Sequence, residues 1–190
     1  MSFQFKIQLK NVSKPTVWRK VTVPEEYTFE QFHEVIQVAF GWDMYHLFQF
    51  NPVGRGRTEL VIGMVDEDFD DFGEEKLDAS ETVLSDVFED EGQKYLYLYD
   101  FGDDWEHQIT LEAIIDDGAE TPTLLDGQGA CPPEDCGGAP GYAHLKEVLA
   151  DPQHPEHASM KEWLGMPLDF VFDPKEIELD DLKVMVSEVE

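Results

Sequence analysis

The chain has 190 residues, 42% of them hydrophobic and 12% aromatic, enough to bury a core and to exclude wholesale disorder. Thirteen Lys and Arg against 42 Asp and Glu give a net charge of −29, which argues against nucleic-acid binding by the chain alone through charge. No apolar run reaches the ~18–20 residues of a membrane span, and two Cys are too few for a disulfide scaffold, so a cytoplasmic location is the default expectation.

Residues 3–10 alternate strictly, with Phe3, Phe5, Ile7 and Leu9 on one face, the period of a half-buried strand. Residues 16–23 are rich in β-branched residues and end at Pro24; the two runs are expected to pair as a hairpin. Thr28 with Gln31 three residues on has the capping-box pattern. Phe29, Phe32, Ile36, Ala39 and Phe40 then recur at helical spacing until Gly41, so a helix is expected over 28–40. Residues 46–53 and 58–65 read as strands around a Gly54-Arg55-Gly56 turn, and 66–81 as an acidic loop. A short helix over 82–89 comes next. Residues 94–101 are apolar on both faces, as a central strand would be, and 105–115 alternate again after a Gly102-Asp103-Asp104 turn. Residues 116–141 are loop-like, and helices are expected at 142–150, 155–164 and 177–188. The pattern predicts one α+β domain over residues 1–190, with an antiparallel sheet of five to six strands, helices packed against it and a helical C-terminal part.

The charge is uneven. Residues 1–63 carry seven bases and six acids, so nearly all of the negative charge lies in residues 64–190. Any nucleic-acid contact would have to use Lys6, Lys10, Arg19 and Lys20.

Several familiar chemistries are tested and fail. Counted from Asp66, a calcium loop should have Gly sixth and Glu twelfth, but Asp71 and Leu77 stand there. Asp100-Phe101-Gly102 lacks the other kinase motifs. Cys131, Cys136, His154 and His157 carry zinc-ligand chemistry at the wrong spacing, so no metal ligand and no cofactor is assigned. No Ser or Cys nucleophile motif is present. What stands out is a density of polar-tipped rings, among them Trp18, Trp42, Tyr99, Trp105 and Tyr142. It adjoins a tight turn with Asp100, Asp103, His107 and more carboxylates. Rings of this kind line ligand grooves, and a carboxylate against an imidazole serves equally as an acid–base pair or a buried polar network.

The residues also occur in a recognisable order. Trp18-Arg19-Lys20, Phe40-Gly41-Trp42 and His46-Leu47 precede Asp100-Phe101-Gly102-Asp103-Asp104-Trp105-Glu106-His107. Pro132-Pro133-Glu134-Asp135-Cys136-Gly137-Gly138 and Gly141-Tyr142 follow. From about residue 3 to residue 182 the chain resembles the plasmid pRiA ORF-three-like family of plasmids and mobile elements. The resemblance implies an α+β fold and no particular activity. It marks Trp18, Arg19, Trp42, His46, Asp100, Asp103, Trp105, His107, Glu134, Asp135 and Tyr142 as the shared positions. The leading expectation is a non-catalytic module that takes a peptide or small molecule in a groove near Trp105. The alternative is a metal-dependent hydrolase or nuclease-like enzyme using Asp100, Asp103, His107, Glu134 and Asp135. In a third reading these residues only lock the fold.

Overall fold

The computed structural model describes residues 1–53, 61–65, 76–167 and 169–190. The Gly54-Arg55-Gly56 turn and the Asp66–Asp71 run lie outside them. The alternating segments form β1 (Ser2–Leu9), β2 (Trp18–Pro24), β6 (Lys94–Tyr99) and β7 (Trp105–Ile115). Between them come β3 (Phe48–Pro52), β4 (Val61–Gly63) and β5 (Lys76–Asp78), and β8 (Thr123–Gln128) follows β7. All eight join one sheet in the order β5-β4-β3-β6-β7-β1-β2-β8.

The expected β1–β2 hairpin is antiparallel, with Phe5 opposite Val21. The expected sheet of five to six antiparallel strands is too small and too uniform. Strand β8 adds an edge along β2, and β5 adds a parallel edge along β4. Both escape the alternation test for a physical reason. Only Leu124 of β8 is buried, and β5 has three residues with no fully buried side chain; an edge strand that buries at most one side chain shows no apolar periodicity.

Helix α1 (Phe29–Phe40) lies over the face formed by Phe3, Phe5, Val21, Phe50 and Tyr97, and it brings Phe29, Phe32, Ile36 and Phe40 to a common core. Its first turn is closed by the capping box. Thr28 Oγ1 accepts from the Gln31 amide at 3.2 Å, and Gln31 Oε1 accepts from the Thr28 amide at 2.8 Å. Gly41 ends the helix at φ 84°, a left-handed cap that glycine adopts without Cβ strain. Thr28→Ala is expected to cost about 1 kcal/mol, read as a lower urea midpoint at unchanged slope.

The C-terminal part is less helical than expected. It holds α2 (Gly138–Ala150), the short α3 (His157–Trp163) and α4 (Leu179–Val186), with irregular chain before α4. Instead of a helix over 82–89 there is one 3-10 turn at Leu84–Asp86. Helix α4 packs on α1 and β8, and α2 packs on α3. No helix among the described residues is long and apolar enough to cross a membrane.

Candidate cation site and adjoining pocket

Ten of the eleven marked residues divide into three groups, and Asp103 stands apart as a contact to the loop before α2. Trp18 lies on the outer sheet face, its indole donating to Gln128 Oε1 at 3.2 Å with Lys6 Nζ 5.0 Å from the ring centroid.

A second group is inside the core. Arg19 is 1% exposed. Its guanidinium donates to the carbonyls of Ala39 (2.7 Å), Trp18 (2.9 Å), Gln128 (3.0 Å) and Gly129 (3.1 Å). Burial pushes it below its ordinary value. A Cβ on Gly127, which faces Arg19 across β8, would lie 3.0 Å from Arg19 Cδ, so glycine makes room for the stem. Trp42, Trp105, His107 and Tyr142 are also buried. Trp42 stacks on Tyr99 at 5.1 Å and meets His107 edge-on at 5.2 Å. His107 Nδ1 lies 3.1 Å from the Trp105 carbonyl, and burial holds its pKa down at about 3. Tyr142 donates to the Ala130 carbonyl at 3.0 Å. Among the described residues these rings are closed in by their neighbours.

The third group converges at the surface. His46 comes from the turn after α1, Asp100 from the β6–β7 turn, and Glu134 and Asp135 from the loop before α2. From His46 Nε2, Asp135 Oδ1 is at 3.4 Å, Asp100 Oδ2 at 3.7 Å and Glu134 Oε2 at 3.9 Å. Ligand atoms of His46, Asp100 and Asp135 all lie within 4.8 Å of one another. Four donors around zinc at bond lengths of 2.0–2.1 Å stand roughly 3.3 Å apart, so this set sits near that spacing. His46 Nε2 and Glu134 Oε2 are shut off from solvent and have no hydrogen-bond partner, an arrangement that costs free energy unless something fills the gap.

The remaining oxygens are held from behind. Asp100 Oδ1 accepts from the Gly102 amide at 2.9 Å. Glu134 Oε1 accepts from Tyr99 Oη at 2.9 Å and from the Asp43 amide at 3.2 Å. Burial, then the Glu134 carboxylate, raises the Tyr99 hydroxyl well above its ordinary range, so it stays a donor. Asp100 and Glu134 are each thereby fixed by one oxygen and turn the other toward His46, as outer partners do for metal ligands. The loop itself is pinned by Trp42 Nε1 on the Pro132 carbonyl (2.9 Å) and by the Gly137 amide on Asp103 Oδ2 (3.0 Å). Gly138, at φ 66°, packs so closely on the Asp103 carbonyl that no Cβ fits. Asp103 is thus a clamp on the loop and does not face the cluster. Met44, Asp100 and Asp135 all have φ of 55–59°, a costly concentration of left-handed backbone around one site.

Of the two cysteines, neither is an activated nucleophile: burial pushes Cys136 up to about 12 and Cys131 further. Cys131, Cys136, His154 and His157 do not form a metal-ligating group among the described residues. His157 Nδ1 instead meets the Val148 carbonyl at 3.0 Å.

A pocket of about 310 Å³ opens beside the cluster and shares Asp135 with it. The sequence reading marked none of its other walls, among them His144 on α2, Glu156 just before α3 and Trp163 at the end of α3. Asp135 is the most open of the four converging residues, at 72% exposure, and so can serve either side.

The sequence model of the family described as plasmid pRiA4b ORF-3-like protein matches residues 1–181. The chain is 41% identical over 164 residues to uncharacterized protein y4hQ of Sinorhizobium fredii, covering 85% of this chain and 80% of that protein. It is similar to the crystal structure of a protein of unknown function, MM3350 from Methanosarcina mazei Go1, with a TM-score of 0.80 at 34% identity over 95% of this chain and 96% of the other. Neither relative brings a known activity.

Proposed function

The chain belongs to the plasmid pRiA4b ORF-3-like protein family, and from that premise we propose that it is a ligand-binding module built around a divalent-cation site. His46, Asp100 and Asp135 supply the donors, and Glu134 adds a fourth. The observation that carries the reading is the pair of sheltered, unpartnered atoms, His46 Nε2 and Glu134 Oε2, at the centre of the cluster. One imidazole and three carboxylates suit Zn²⁺ or Mn²⁺ better than Ca²⁺ or Mg²⁺, which take oxygen donors. Trp42, Trp105, His107, Arg19 and Tyr142 serve this site as its rigid floor and support, and Asp103 as the clamp on its loop.

A bound cation would leave its outer side, next to the exposed Asp135, open to an oxygen of a ligand. The same openness supports a second reading, in which the cation activates water for hydrolysis.

Calorimetric titration of the chelator-treated protein with Mn²⁺ and Zn²⁺ tests the proposal. The expected result is saturable one-to-one binding. Tyr99→Phe, which removes only an outer partner, is expected to weaken it roughly tenfold. His46→Ala and Asp100→Asn, which remove donors, should weaken it more. Binding that survives both donor substitutions unchanged would move the cation elsewhere and end this reading.

A further inference from the structure

We infer that the pocket between α2, α3 and the Asp135 loop takes an alkylguanidinium group, such as an arginine side chain or its free small-molecule equivalent. Leu145 and Met160 supply apolar wall, Trp163 an indole, and Asp135, Glu156 and His144 the polar rim. The aromatic wall is open to solvent, with Trp163 53% exposed. The volume, about 310 Å³, is at the small end for ligand sites and suits a side chain better than a large cofactor.

Charge selects among ligands of that size. No Lys or Arg lines the pocket, and the sequence has none between Lys94 and Lys146. The two lysines on the pocket's helices direct their ammonium groups to backbone carbonyls. Lys146 Nζ donates to Ser13 at 2.6 Å and Lys161 Nζ to Phe170. Two rim carboxylates, in a chain of net charge −29, therefore face the opening, and an anion is repelled. A wholly apolar ligand would desolvate those carboxylates with nothing in return. A cation on an aliphatic stem meets every wall: stem on Leu145 and Met160, charge over Trp163, hydrogen bonds to the carboxylates. A guanidinium suits this better than an ammonium, because its plane stacks on an indole while its fork reaches a carboxylate. The His144 ring, with Nε2 3.2 Å from Glu156 Oε2, holds Glu156 at the rim.

The site shares Asp135 with the cation cluster but needs no cation, so its test is run in excess chelator. Agmatine, N-acetyl-arginine amide and N-acetyl-citrulline amide are titrated against the full chain, and the Trp163 indole resonance, assigned by its absence in Trp163→Ala, is followed by NMR. The expected result is a saturable shift with at least one guanidinium ligand, with no free divalent cation present. Binding should weaken in Glu156→Gln and with added salt, and the neutral citrulline ligand should bind at least about tenfold more weakly than its arginine counterpart. Binding of agmatine alone would place the source among free small molecules; binding of the amide would place it on a peptide. Equal affinity for citrulline and arginine amides, or no saturable shift with either guanidinium, would overturn the inference.

Discussion

Arg19→Ala is expected to lower the unfolding free energy by about 4 kcal/mol. The guanidinium has carbonyl partners, not a carboxylate, and among the described residues it forms no ion pair. It ties together three separate pieces of the fold: its own strand β2, the last turn of α1 through Ala39, and the end of β8 through Gln128 and Gly129. Its Cζ lies 4.9 Å from the centroid of the Phe40 ring, so truncation also removes packing and leaves a cavity under α1. Arg19→Met separates the two contributions. It keeps most of the volume and loses the hydrogen bonds, so it is expected to recover only about 1 kcal/mol of the deficit. Urea denaturation gives both values. Full recovery in Arg19→Met would show that packing alone matters here.

Acidification from pH 7 to pH 5 is expected to remove about 4 kcal/mol through His33 and His107 together. Both are buried neutral. His33 stacks on Phe48 at 3.7 Å, and its Nδ1 lies 2.7 Å from Tyr97 Oη, which itself accepts from Gln37 Nε2 at 2.8 Å. Burial lowers the folded-state pKa to about 4 for His33 and about 3 for His107, from an ordinary 6.5. In the unfolded chain both rings take a proton below 6.5, and in the folded chain neither does until those lower values. The unfolded state thus binds more protons throughout that window. The stabilisation is complete above pH 6.5 and declines as pH falls toward 4 and then 3. Relief of carboxylate repulsion acts in the opposite sense, so the clean measurement is a difference. His107→Gln is destabilised at pH 7, and its gap from the parent protein should narrow by about 2 kcal/mol by pH 5. A gap that stays constant with pH would mean that His107 takes up a proton as readily in the folded protein as in the unfolded chain.

Much of the framework could be read from residue patterns because burial imposes them. The alternation of β1 and β7 and the capping box at Thr28 each leave a local trace. Strands β5 and β8 leave none, since Leu124 is the one fully buried side chain between them. The site was half legible. The Asp-Phe-Gly-Asp and Pro-Pro-Glu-Asp strings drew attention to Asp100, Glu134 and Asp135, and His46 came with them. Their convergence could not be read, because it depends on three loops meeting at one end of the sheet. The aromatic density pointed to a groove, yet hydrogen bonds from Trp42 and Tyr142 to Pro132 and Ala130 carbonyls turn those polar tips inward. Polar-tipped rings need a partner and not necessarily a ligand. Asp103 had looked like a candidate ligand and holds the Gly137 amide instead.

The excess negative charge also has a place in this arrangement. The three carboxylates of the cluster and the pocket residues lie in the segment that carries it, and the long stretch without Lys or Arg spans Asp100, Glu134 and Asp135. A negative field around a cation site raises local cation concentration and disfavours anionic competitors.

The central claim is that His46, Asp100 and Asp135 share one cation, and locating that cation tests it most directly. Crystals of the protein soaked with Mn²⁺ or Zn²⁺ should give an anomalous difference peak at roughly 2.0–2.2 Å from His46 Nε2 and from an Asp100 carboxylate oxygen. The peak should vanish in His46→Ala. A peak at Cys136 or His154 instead, or none at His46 in a soaked crystal that diffracts well, would contradict the account.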